Sequence, residues 1–197
     1  MSERADAARN RAKILAVAAD IVAARGIAGL GMAEVAAASG VGVGTLYRRF
    51  GDRSGLAHAL IDDSERDFQH TFLTGPPPLG PGAPAVDCIR AFLHALTDRT
   101  LAQLDLLLMA ETAGPLARFG GAYEVYHRHL AVLVGRARPG LDAAFTADAL
   151  LGPLAANLVA HRRLAGATLK AGLDGLVDGL FPDPGAENRP SPGGTIR

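Results

Sequence analysis

Gly44, Thr45, Tyr47, Arg48 and Arg49 crowd one short stretch, and Arg53 follows it. Arginine can pair bidentately with the N7/O6 edge of guanine or grip a phosphate. Tyrosine and threonine hydroxyls can bond phosphate oxygens, and a threonine methyl can touch the methyl of thymine. Arg53 falls where the next helix should start, so its charge and the free backbone N–H groups there suit a phosphate. Residue type alone fits a solvated basic face equally well, so the elements carrying these side chains decide between the two readings.

Other chemistry finds little support. Gly42-Val43-Gly44 resembles a phosphate-binding loop, but it follows a helical pattern rather than a strand. His127 and His129 are two residues apart, so on a helix they project about 200° from each other and cannot chelate one ion. His58, His70 and His161 are isolated, and Cys88 is the one cysteine, so no set has metal-ligand spacing. Asp62-Asp63-Ser64-Glu65 reads as a solvated helical face. No nucleophile elbow, Walker loop or zincin motif occurs. The expectation is a protein that is not an enzyme and has neither cofactor nor metal.

The elements that would position Tyr47 and its neighbours are short helices. Ile14, Leu15, Val17, Ala18, Ile21 and Val22 recur at helical spacing, predicting a helix from Arg9 to about Arg25 that Gly26 stops, with residues 1–8 frayed. Further helices are predicted over Met32–Ala38 and Gly44–Phe50, ended by Gly40 and Gly51. Two short helices joined by a few residues cross steeply. Ala36 is small enough for the crossing, Gly40 can take a positive φ in the turn, and Val35, Val41 and Leu46 are spaced to seal the pair. This is the rhythm of a helix-turn-helix. A fourth helix, capped by Asp52 or Ser54, runs to about Leu73.

Gly75-Pro76-Pro77-Pro78-Leu79-Gly80-Pro81-Gly82 can be neither helix nor central strand and reads as a linker. Beyond it, helices are predicted from Pro84 to Leu96, Thr100 to Thr112, Leu116 to Ala137, Asp142 to Leu164 and Ala167 to Leu180. No period-two alternation appears. The expected fold is all-α, with about nine helices: a helix-turn-helix domain over 1–52, a helical domain over 53–182, and a disordered tail over 183–197 rich in Pro, Gly and polar residues.

Composition agrees. Hydrophobic residues make up 49% of the 197, enough for a sizeable core, and aromatics only 5%, which favours helices over sheets. Net charge is zero, yet residues 1–60 hold eight basic and five acidic groups, a local +3 that hints at an anionic partner. A single cysteine suits a reducing cytoplasm, and neither a signal-peptide pattern nor a membrane-length apolar run is present. Cytoplasmic location, with no membrane contact, is the expectation.

The stretch from Gly29 to Leu60, with Thr45-Leu46-Tyr47, two residues, Phe50, a polar basic turn and then Leu56, resembles the N-terminal signature of the TetR/AcrR family of bacterial regulators. The resemblance covers about residues 9–60. Tyr123-x-x-Tyr126-His127-x-His129-Leu130 and Leu150-Leu151-Gly152-Pro153-Leu154 are loosely similar to the family's regulatory domains. The resemblance implies that Gly44, Thr45, Tyr47, Arg48, Arg49 and Arg53 contact DNA. Two positions depart from the family: Gly31-Met32 stands where a hydroxyl residue usually caps the second helix, and Val43 where many relatives are polar.

The family also implies a homodimer and a ligand-responsive repressor. Leu150, Leu151, Leu154, Leu158 and His161 form one apolar stripe, and Leu173, Leu176, Val177 and Leu180 another. They are assigned to the dimer interface, although such stripes also serve a subunit's own core. Phe92, Leu104, Leu108, Met109, Phe119, Tyr123, Tyr126 and His127 are assigned to an effector pocket, with His94, Gln103 and Glu111 as further polar groups. The implied function is a repressor that binds a palindromic duplex operator as a dimer and is released by a small-molecule effector. An activator, and a helical module that binds another protein, stay open. Effector, operator and regulated genes are not legible.

Overall fold

The computed structural model describes residues 3–111, 121–162 and 165–182, without the side chains of 3, 4 and 109–111. The predicted tail, Phe119, and the side chains of Met109 and Glu111 lie outside the described residues. Ten α-helices and no strand are present among them, as the all-α reading required. The residues fall into two compact units, one drawn from Met1–Thr74 and Ala102–Ala122, the other from Gly75–Leu101 and Tyr123–Arg197.

In the first unit, α1 (Glu3–Arg25) begins six residues before the predicted start. Ala5, Ala7 and Ala8 are strong helix formers, and Asp6 pairs with Arg9 one turn later, so the polar end need not fray. Gly26, at φ 68°, stops the helix. A 3-10 turn over Ile27–Gly29 leads to α2 (Met32–Ser39), α3 (Val43–Phe50) and α4 (Arg53–Thr74). α6 (Leu104–Glu111) packs on α4. Ile14, Leu15, Ala18, Leu30, Met32, Val35, Ala36, Leu46, Leu56, Leu60 and Leu106 are buried together as the core of this unit. Gln103 Nε2 donates to Ser64 Oγ at 2.8 Å beside it.

The second unit opens with the Pro-rich segment, then α5 (Ala85–Ala102). This helix runs through the predicted gap at 97–99, because no glycine or proline interrupts it and Thr97, fully buried, donates its hydroxyl to Leu93 O at 2.8 Å. α7 (Ala122–Ala137) buries Tyr126, Leu130, Leu133 and Val134. α8 (Ala143–Leu151) is capped by Asp142, whose carboxylate accepts from Phe145 N at 3.0 Å.

The single helix predicted from Asp142 to Leu164 is instead broken. A 3-10 turn over Gly152–Leu154 separates α8 from α9 (Ala156–Arg162), since Pro153 has no N–H to give an α-helical ladder. That break accounts for ten helices where about nine were predicted. α10 (Gly166–Leu180) closes the unit. Across it Arg90 bonds Asp174 at 2.6 Å and Asp178 at 2.7 Å, His94 bonds Asp174 at 2.9 Å, and Lys170 bonds Asp98 at 2.8 Å. Partial burial alone would raise the Asp174 carboxyl; the hydrogen bonds and charges of Arg90 and His94 outweigh it and hold the group below the usual carboxylate range.

No single helix among the described residues is long and apolar enough to cross a membrane.

Candidate nucleic-acid interface

The site is α3, and it is held by the turn before it and the helix after it. Gly40 adopts φ 67°, ψ 26°, a left-handed conformation that costs glycine little. Its N–H bonds Ala37 O at 3.2 Å and the Val41 N–H bonds Ala36 O at 3.0 Å, which satisfies the last carbonyls of α2 and turns the chain into α3. Val41 is half-buried against the core, Val35 and Leu46 are fully buried, and Ala36 is nearly so. The sequence assignments for this junction therefore hold at each residue.

Leu46 is the buried anchor of α3; one turn on, Phe50 packs against the same core. Gly44, Thr45, Tyr47, Arg48 and Arg49 are all exposed. Tyr47 keeps 50% of its surface in water and Val43, at the start of the helix, 46%. For residues of these sizes that is surface the chain's own fold does not use. Arg48 Nη2 reaches Thr45 Oγ1 at 3.4 Å, so the two share one stretch of the face. Among the described residues neither Arg48 nor Arg49 meets a carboxylate, whereas Arg9, Arg11 and Arg25 are paired with Asp6, Asp63 and Glu34. Two uncompensated positive charges thus share α3.

Arg53, also exposed, donates from Nη2 to Ile27 O. At the head of α2 the missing hydroxyl cap is real: Gly31 offers no side-chain bond. Glu34 in the first turn favours the positive helix end and holds Arg25 at 2.5 Å.

Three residues of this region escaped sequence reasoning. Lys13 is exposed on α1, and its Nζ sits 3.6 Å from where a Cβ at Gly40 would stand, adding a charge beside the turn. Val43 was read only as a departure. Gly55 lies in the first turn of α4, where a Cβ would fall 1.9 Å from Phe50 O. Only glycine lets the end of α3 approach α4 so closely, and the Gly55 N–H caps onto Asp52 Oδ1 at 2.9 Å.

The residues assigned to the second half separate. Leu150, Leu151, Leu154, Leu173 and Val177 are buried within their own unit, while Leu158, His161 and Leu176 are exposed and Leu180 is half-buried. Of the pocket candidates, Phe92 is fully buried with its ring edge-on to Tyr126 at 5.6 Å and tilted over His129 at 4.9 Å. Burial, and then the charge of Arg136, push the His129 imidazole down, favouring its neutral form. Tyr123 donates to Asp148 Oδ1 at 2.6 Å and stacks on His127, whose Nε2 lies 3.1 Å from Ala144 O. Leu104 and Leu108, both half-buried, belong to the first unit. No group of three or more potential metal ligands occurs among the described residues.

Comparison with known proteins bears on this geometry. Residues 14–60 match the family model described as bacterial regulatory proteins, tetR family. An HTH-type transcriptional regulator of Staphylococcus aureus (strain bovine RF122 / ET3-1) is 38% identical over 71 residues, which take in 36% of this chain and 36% of that protein. A TetR-family transcriptional regulator from Pectobacterium atrosepticum superimposes with a TM-score of 0.72 at 20% identity, over 93% of this chain and 100% of that one. AibR, solved in complex with isovaleryl coenzyme A and operator DNA, is similar at a TM-score of 0.56 and 22% identity, over 88% of this chain and 98% of that one. The matched segment runs from the middle of α1 to the first part of α4, and over it this chain is similar to the N-terminal helix-turn-helix of the TetR family of bacterial regulatory proteins.

Proposed function

We propose that the protein is a ligand-responsive repressor that binds a palindromic operator as a homodimer in the cytoplasm. The observation that carries this reading is α3 itself: an eight-residue helix pinned by fully buried Leu46, with Thr45, Tyr47, Arg48 and Arg49 outward and neither arginine compensated. Arg48 is assigned to base edges, and Tyr47, Arg49 and Arg53 to phosphates. Gly44 allows the backbone close to the groove. The reading divides the chain into a DNA-binding part over 1–52 and an effector and dimer part over 53–182.

One helix-turn-helix makes few base contacts, so a second copy is physically needed for specificity. A side chain already buried in its own unit has little surface left to remove from water. The dimer seam is therefore assigned to Leu158 and His161 on α9 and Leu176 on α10, with Leu180 at its edge; Leu150, Leu151, Leu154, Leu173 and Val177 back it from inside. The effector is assigned to the helical domain beside Phe92, Tyr123, Tyr126 and His127. It releases DNA only if it binds the released conformation more tightly than the bound one. AibR carries both a ligand and operator DNA on a similar fold, which supports a fold able to take both partners. Nothing in this cycle requires catalysis.

Selection of bound fragments from random duplexes tests the reading. The expected consensus is two inverted half-sites centred about 34–36 Å, or a multiple of that, apart. A consensus with one half-site, or none, contradicts the dimeric reading.

A further inference from the structure

Val43 is the first residue of α3 and lies between two glycines, Gly42 and Gly44. None of the three is a requirement of the chain's own packing. A Cβ added at Gly42 or at Gly44 would meet nothing within 4 Å, and neither has a positive φ. Glycine inside a helix lowers its stability, so Gly44 gives the fold nothing in return for that loss. Val43 leaves 46% of its surface in water at the front of the helix, although valine gains by burial. The result is an isopropyl group with bare backbone on either side, on the same short helix as Arg48 and Arg49.

On the reading that α3 enters the major groove, we infer that Val43 is a specificity-determining residue that packs against the C5-methyl of a thymine. That methyl is the one apolar group a base pair presents in the major groove. The flanking glycines let the isopropyl reach it without a neighbouring side chain in the way. The two arginines supply the attraction to the duplex that brings the groups together. Val43 itself has no donor or acceptor and would leave a polar base edge unpaired, so its preference is for thymine against the other bases.

The test replaces each thymine of the selected duplex in turn by uracil, which removes only the methyl. The full-length protein and its Val43→Ala variant are titrated side by side. The wild type loses about fourfold in affinity for each half-site at one thymine position, the worth of one buried methyl-sized group. Val43→Ala shows no loss at that position and the same losses elsewhere. A Val43→Ser variant, put through selection from random duplexes, no longer enriches thymine there. If Val43→Ala keeps every uracil effect and Val43→Ser keeps the wild-type consensus, the thymine contact is wrong while DNA binding by α3 stands. If the wild type binds no duplex, the underlying reading falls as well.

Discussion

Replacing Gly55 by Ala lowers stability by about 3 kcal/mol and weakens DNA retention with it. The new Cβ would stand 1.9 Å from Phe50 O, and the obstacle is backbone, which cannot rotate aside as a side chain end can. Relief requires the end of α3 to move away from α4. Overpacking in a fixed environment costs up to about 3 kcal/mol, and a backbone collision belongs at that end. For a chain of this size the melting temperature falls by about 10 °C. The displaced part is the recognition face, so operator binding drops further than the lost folded fraction explains. Ser54→Ala, at an exposed neighbour, serves as the control and leaves both quantities near wild type. A Gly55→Ala protein that melts within a degree or two of wild type contradicts this packing.

The second large effect separates two roles on α3. Arg48→Ala removes a bidentate contact to a base, and discrimination at one base position of each half-site relaxes by about 1–3 kcal/mol. Tyr47→Ala removes a hydroxyl bond to a charged phosphate oxygen and weakens every duplex alike, by about 1.5–3 kcal/mol. Both side chains are exposed and absent from the core, so the melting temperature stays within about 1–2 °C of wild type. Binding profiles across a panel of single-base operator variants read the difference. Two flat, uniform losses would place Arg48 on the backbone, and two selective ones would place Tyr47 on a base.

Legibility in the sequence followed the range of the interaction. Gly26, Gly40 and Gly51 end their helices as read, because a positive φ is a local demand that glycine answers locally. Leu46 as anchor and the outward Thr45, Tyr47, Arg48 and Arg49 were also legible, since one turn of helix fixes which residues share a face. Gly55 was not. Inside a helix, propensity reads glycine only as a cost, and its reason here is a carbonyl five residues earlier that the turn brings against it.

The Pro153 break was hidden for the opposite reason. Leu150, Leu151, Leu154 and Leu158 keep a helical period straight across it, so the pattern masked the missing N–H. That same stripe could not reveal which surface it faces. Periodicity reports an apolar side, and Leu150 and Leu154 spend it inside their own unit while Leu158 stays exposed. The aromatic pairing of Phe92 with Tyr126 joins residues 34 positions apart, a distance at which spacing carries no information.

The central claim is that the outward face of α3, in two copies, grips duplex DNA through its cations. Titrating the full-length protein against a fluorescent duplex of the selected sequence, from about 50 to about 200 mM salt, tests it most directly. Arg49 on α3, with Arg53 at the head of α4 and Lys13 beside the turn on α1 counted as flanking phosphate contacts, gives about six contacts from two chains, so affinity falls roughly a thousandfold over that range. Affinity that stays level across the range, or no retention at its lower end, would contradict the account.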